Sequence, residues 1–167
     1  MAGILKLQSK DGEMFDVEMN AACQSKVLKG MLKATSDTED DAEPVKLSLI
    51  SGVTLRKVIA WCRQHQNDTP VEEDDLLGTA ERRIANIDPW DTEFLQVEKG
   101  ILFEIILAAN FLQIEGLLDA ACTAVANMIK GKTPEEVRKT FNIENDLSPE
   151  QEEKVRKENE WCAHNVK

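Results

Sequence analysis

The sequence predicts an α/β fold: a mixed half of short strands and helices in front, and an all-helical half behind. Three observations carry that prediction. Alternating apolar and polar residues flank an Asp-Gly turn near the start, apolar residues then recur at helical spacing, and two Ser/Thr-Pro-Glu capping signals close the chain. At 167 residues the chain has enough length for one ordinary core plus a small appendage.

Leu5 and Leu7 alternate with Lys6 and Gln8, Asp11-Gly12 turns the chain, and Phe15 and Val17 alternate with Asp16 and Glu18, which reads as a hairpin. From Asn20 to Leu32 the spacing of Val27, Leu28, Met31 and Leu32 predicts one helix. Residues 35–43 hold Asp37, Glu39, Asp40, Asp41 and Glu43 with nothing large and apolar, so an acidic loop is expected there. Pro44 to Ile50 can supply another strand, and Leu55, Val58, Ile59 and Cys62 mark a helix ending around Gln66. Residues 68–83 form a second charged insertion, and Asp88-Pro89 restarts a helix with a good cap and a proline suited to its first turn. A helix after Gly100 carries Leu102, Ile105, Ile106, Ala109 and Leu112; the next follows Gly116. Thr133-Pro134-Glu135-Glu136 and Ser148-Pro149-Glu150-Gln151 are capping boxes that each open a short helix.

Charge narrows the function. Lys and Arg number 20 against 31 Asp and Glu, a net charge of −11, which disfavours nucleic acid and anionic membrane because both draw affinity from clustered cations. The most apolar stretch, Ile101 to Ile129, is broken by Glu104, Glu115 and Asp119 and does not suit a bilayer. No charged-then-apolar leader precedes the first strand, so secretion is not expected and the Asn67-Asp68-Thr69 sequon should be idle. The four cysteines, at 23, 62, 122 and 162, form no C-x-x-C pair and read as reduced core or interface residues.

Catalytic signals are weak. Cys62 and His65 are three residues apart, but neither a metal's further ligands nor a nucleophile's orienting partner stands at useful spacing. Cys62 fits the apolar stripe, and His65 is expected on the solvent side near the helix end. His164, in the charged tail, is poorer still. Gly131-Lys132-Thr133 resembles the end of a phosphate loop, yet Ala126 stands where its first glycine belongs and a helix, not a strand, precedes it. The expected role is structural: Gly131 ends one helix and Thr133 caps the next. No catalytic, metal or cofactor site is expected.

The helix from Ile114 to Ile129 is more informative. At about 100° per residue its apolar side chains make two adjacent stripes, Leu118-Cys122-Val125-Ile129 and Leu117-Ala121-Ala124-Met128, spanning about 160°. One stripe can face the core and the other a partner. Ile143, Val155 and Trp161 follow among charged residues with little of their own to pack against.

Several strings carry a resemblance. They are Gly100-Ile101-Leu102-Phe103-Glu104-Ile105-Ile106-Leu107-Ala108-Ala109-Asn110-Phe111-Leu112, the run from Val125 to Glu136, and the ending from Val155 to Cys162. With Lys6-Leu7-Gln8-Ser9, Trp61-Cys62 and Pro89-Trp90-Asp91, they resemble the S-phase kinase-associated protein (Skp) family over nearly the whole chain, apart from the two acidic insertions. The resemblance implies a BTB/POZ-type α/β domain over 1–130 and a C-terminal helical extension over 131–167 that completes an F-box-binding surface. It implies an adaptor that bridges a cullin to F-box receptors in SCF ubiquitin ligases, with no catalytic residues and no cofactor, in cytoplasm and nucleus. By position, the F-box surface would use Phe103, Leu118, Cys122, Val125, Ile129, Ile143 and Trp161, and the cullin contact Asn110 and Phe111. Pro149 stands where some protist members carry a hydroxylated and glycosylated proline, and weak self-association of the free chain is expected. Departures cluster near the cullin pair: the family usually has Tyr at Phe111 and Asp-x-Lys at Gln113 and Glu115. Proline is usual at Lys46 and Ser48. Two rival readings are a BTB-fold scaffold of another assembly, elongin-C-like or homodimeric, and a small Cys/His hydrolase.

Overall fold

The computed structural model describes residues 4–35, 44–68 and 87–160. Apart from residue 35, the expected acidic loop therefore lies outside the described residues, as do nearly all of the second insertion and Trp161, Cys162 and His164. The chain divides into two compact units, one up to Met128 and one from Ile129 onward.

In the first unit, strands β1 (Ile4–Ser9) and β2 (Met14–Glu18) form the expected hairpin, with Leu5 opposite Val17 and Leu7 opposite Phe15. Gly12 takes a φ of +82°, a conformation open to glycine at little cost, and so permits the turn. β3 (Val45–Leu47) adds parallel to β1, giving the order β2-β1-β3 among the described residues. It is shorter than the run Pro44 to Ile50 suggests. The chain bends at Leu47, where the Ile50 amide bonds back to the Leu47 carbonyl at 3.2 Å and the Ile50 carbonyl accepts from Lys10 N–H at 2.8 Å.

The helix expected over Asn20 to Leu32 is two helices, α1 (Met19–Ala22) and α2 (Lys26–Thr35). Ser25 breaks it. Its fully buried hydroxyl accepts from Leu28 N–H at 3.1 Å, capping α2, and donates to the Leu112 carbonyl at 2.5 Å. α3 (Gly52–Gln64) is capped by Ser51 and buries Leu55, Val58, Ile59, Trp61 and Cys62, the predicted stripe. α4 (Pro89–Phe94) starts on Asp88, whose carboxylate accepts from Trp90 N–H at 2.9 Å.

α5 (Lys99–Leu112) begins just before Gly100 and buries Leu102, Ile105, Ala108, Ala109 and Leu112. Gln113, with a φ of +52°, turns the chain into α6 (Glu115–Ile129). Gly116 is required in that first turn, because a Cβ there would stand 2.9 Å from the Trp61 ring. Trp61 in turn donates its indole N–H to buried Asp91 at 2.8 Å. Leu7, Leu47, Leu55, Leu95, Leu102, Ile105, Leu112, Ile114 and Leu117 make up the centre of this core.

The second unit carries α7 (Pro134–Phe141) and α8 (Pro149–Glu158), both opened by complete capping boxes on Thr133 and Ser148. Gly131, at φ +75°, ends α6, and Asn142, at φ +54°, ends α7. The lookalike phosphate loop is thus a C-terminal turn followed by a capped helix.

Candidate functional site

The wide apolar arc of α6 has two unlike sides. Leu117 and Ala121 are fully buried, and Ala124 and Met128 pack against the core of the first unit. The neighbouring stripe is more open: Leu118 and Val125 are half-buried and also pack against that core, but Cys122 is exposed and Ile129 is 42% exposed. A helix that spends one stripe on its own core and leaves an adjacent apolar stripe partly in water has a face that a partner could dehydrate. The Cys122 thiol is pushed up, first by burial and then by Asp119, so it sits there as a neutral, apolar group.

In the second unit Ile143 and Val155 are 56% and 46% exposed. Trp161 lies outside the described residues. Pro149 occupies the first turn of α8, exposed, with Ser148 capping ahead of it.

Asn110 and Phe111 are both exposed on the last turns of α5, Phe111 at 44%, while Phe103 stands two turns earlier at 43%. Leu107, between them, is 69% exposed and carried no sequence mark that set it apart from its buried neighbours. Beside Phe111, Glu115 pairs with Lys26 on α2 at 2.7 Å, so the charge reversed at that position is neutralised within the chain. Both groups are partly solvated, and the pair itself adds little stability.

The Cys/His pair does not assemble as a nucleophile and base. Burial pushes the Cys62 thiol up to about 12, which keeps it protonated at neutral pH. His65 is not on the solvent side as expected. It stacks on Trp61 with ring centroids 4.1 Å apart, its Nδ1 lies 2.5 Å from Asp68 and its Nε2 lies 3.0 Å from Asp91. Both ring nitrogens are thus occupied by carboxylates that bracket the second insertion. The spacing of three residues could not reveal this, because Asp91 comes from the far side of that insertion.

Comparison with known sequences gives this geometry its context. The Skp1 family's tetramerisation domain matches residues 3–67, and its dimerisation domain matches residues 115–162. The E3 ubiquitin ligase complex SCF subunit sconC of Talaromyces stipitatus is 50% identical over 164 residues, 97% of this chain and 98% of its own. The sconC subunit of Arthroderma benhamiae is 48% identical over 158 residues, 95% of this chain and 94% of its own. A Skp1-related protein of Caenorhabditis elegans is 48% identical over 161 residues, 95% of this chain and 90% of its own. Identity is near one half along almost the full length of each chain. The expected α/β front half and helical ending both fall within matched regions, and this chain belongs to the Skp1 family.

Proposed function

We propose that the chain is the adaptor subunit of an SCF-type E3 ubiquitin ligase, holding an F-box receptor at one site and a cullin at another, and catalysing nothing itself. The two-sided α6 carries this reading: Leu117 and Ala121 fix the helix to its core, while the Leu118-Cys122-Val125-Ile129 stripe keeps part of its apolar surface open to a partner. The near full-length relatives named as SCF subunits support it. An F-box is a small helical motif that cannot bury its own apolar face, and such a face suits an apolar helical stripe. The same stripe gives the free chain a surface for weak self-association. Asn110 and Phe111, on a different helix, supply the cullin contact. The adaptor works in the cytoplasm and the nucleus, where a tagged copy would be imaged.

Affinity purification with mass spectrometry tests the reading. The wild-type chain should recover F-box proteins and a cullin. Val125→Lys should lower F-box binding by about a hundredfold or more, since it forces an unpaired charge into a dehydrated contact, and should leave far-UV helicity intact. Unchanged F-box recovery would remove the stripe from the interface. Asn110→Lys with Phe111→Lys should lose the cullin and keep the F-box proteins. Loss of both together would mean that the two sites are not separate.

A further inference from the structure

The adaptor reading gives His65 no task, although both of its ring nitrogens are engaged. The ring sits at the C-terminal end of α3, stacked on Trp61 and edge-on to Trp90, with centroids 4.1 and 5.8 Å away. Nδ1 lies 2.5 Å from Asp68 and Nε2 lies 3.0 Å from Asp91, the first side chain 63% exposed and the second 9%. Trp61 donates its indole N–H to the same Asp91 oxygen at 2.8 Å. From the turn between α1 and α2, the neutral Gln24 amide donates to the His65 carbonyl at 2.6 Å and to the Asp68 carbonyl at 3.1 Å. Neighbouring charges have other partners: Arg63 reaches the Asp16 carbonyl at 3.0 Å, Lys57 lies over the Phe94 ring, and Asp88 caps α4. Among the described residues, the charged groups in contact with the ring are thus Asp68 and Asp91.

Hydrogen-bond chemistry restricts what this arrangement can be. An ionised carboxylate only accepts, and a neutral imidazole carries one N–H and one bare nitrogen. Only the doubly protonated ring can donate to Asp68 and Asp91 together. When one proton leaves, the two carboxylates compete for the remaining N–H, and they are unequal. Taking a donor from Asp91 leaves a buried charge short of a partner, which is costly. Asp68 loses little, because water can solvate its exposed side chain. The proton therefore leaves from Nδ1, whose lone pair then faces the Asp68 carboxylate.

We propose that His65 is a pH-sensitive latch: the charged ring fastens the Asp68 side chain to the end of α3, and the neutral ring releases it while keeping Asp91 through Nε2–H. The latch is closed at low pH and opens as the pH rises, a histidine being the side chain whose charge changes nearest neutrality. The aromatic rings of Trp61 and Trp90 flank the imidazole, and the Asp91 bond anchors it, so the change is confined to the Asp68 side. Gln24 holds the Asp68 carbonyl in either state, so opening frees a side chain rather than the turn. No partner protein takes part, and the latch stands independently of the adaptor reading.

The experiment reads the ring nitrogens of the full-length chain by proton–nitrogen NMR at about pH 5.5 and about pH 8.5. A His164→Gln background leaves His65 as its one histidine. At the lower pH both nitrogens should carry hydrogen; at the higher pH Nε2 alone should do so. A hydrogen still on Nδ1 at the higher pH, or a ring already neutral at the lower, would overturn the latch. Asp68→Asn gives a second readout, because an asparagine amide can accept from Nδ1–H or donate to the bare nitrogen, and so serves both states of the ring. The thermal midpoint of wild type minus that of the variant should therefore fall by about 1–3 °C between the two pH values. Removing one negative charge shifts this difference by a constant, so its change with pH is what decides. A difference that stays the same at both pH values would leave Asp68 a packing role and overturn the latch.

Discussion

Up to Met128 the chain buries Leu102, Ile105 and Leu112 completely, whereas none of the described residues from Ile129 onward is buried. The two regions are therefore held by different forces. In the first, helices of ordinary propensity are fixed because each spends an apolar face on a shared core. In the second, α7 and α8 rest on local devices: two capping boxes, and Arg138, which reaches Glu152 at 2.7 Å and Glu135 at 3.8 Å. Lys157–Glu153 and Lys154–Glu158 add exposed pairs of small value. Helices this short are marginal in water by themselves. The difference teaches that the first unit is held by its core, while the second is held by local devices that leave Ile143, Leu147 and Val155 exposed.

The sharpest way to break that contrast is to truncate one side chain in each region. Ile105→Ala removes a fully buried side chain and should cost about 2–5 kcal/mol of global stability, measured by urea unfolding. Val155→Ala, at a position 46% exposed, should stay within about 0.5 kcal/mol in the free chain. If the Val155 variant is as damaging as the Ile105 one, the second region has a core of its own and the contrast fails.

The contrast also explains what was legible in the sequence. Both capping boxes were readable because every group they need lies within four residues, and both are complete in the structure. The α3 stripe and the two-sided α6 were readable from periodicity. The break before α2 was not, because Ser25 caps that helix while bonded to a carbonyl 87 residues away. His65 was misplaced for the same reason, its partner Asp91 being 26 residues on. At the candidate site the width of the α6 arc signalled more apolar surface than the core fully covers. The exposure of Leu49, Val53 and Leu107 gave no such signal, because it is decided by tertiary packing that spacing alone does not specify.

A smaller effect sharpens the account of the second region. Ser148→Ala removes the hydroxyl that accepts from Gln151 N–H and should cost α8 about 1 kcal/mol, roughly a fivefold rise in its amide exchange rate. In the free chain that loss should be visible, because α8 has no buried face to mask it. Binding an F-box domain should slow exchange across 142–160 and shrink the difference between variant and wild type. Strong protection in the free chain, insensitive to both the cap and the F-box domain, would show that α8 belongs to a resident fold.

The smallest effect expected comes from the polar tie in the first region, where packing already fixes the helices that it joins. Glu104 is largely solvated, and its carboxyl is lowered chiefly by the Thr54 hydroxyl and then by Ser51. A carboxyl lowered on folding stabilises the native state above its ordinary value of 4.5, and that stabilisation is lost as pH falls through the lower, folded value. Glu104→Gln keeps the side chain's shape and removes the titration. Wild type and variant should therefore differ slightly in thermal midpoint near pH 7, converge as the pH is lowered below about 4.5, and coincide once Glu104 is protonated in both states. A difference that persists unchanged into acid would mean that Glu104 acts through packing rather than through its charge. A large difference at neutral pH would mean that the first region leans on its polar contacts much as the second does.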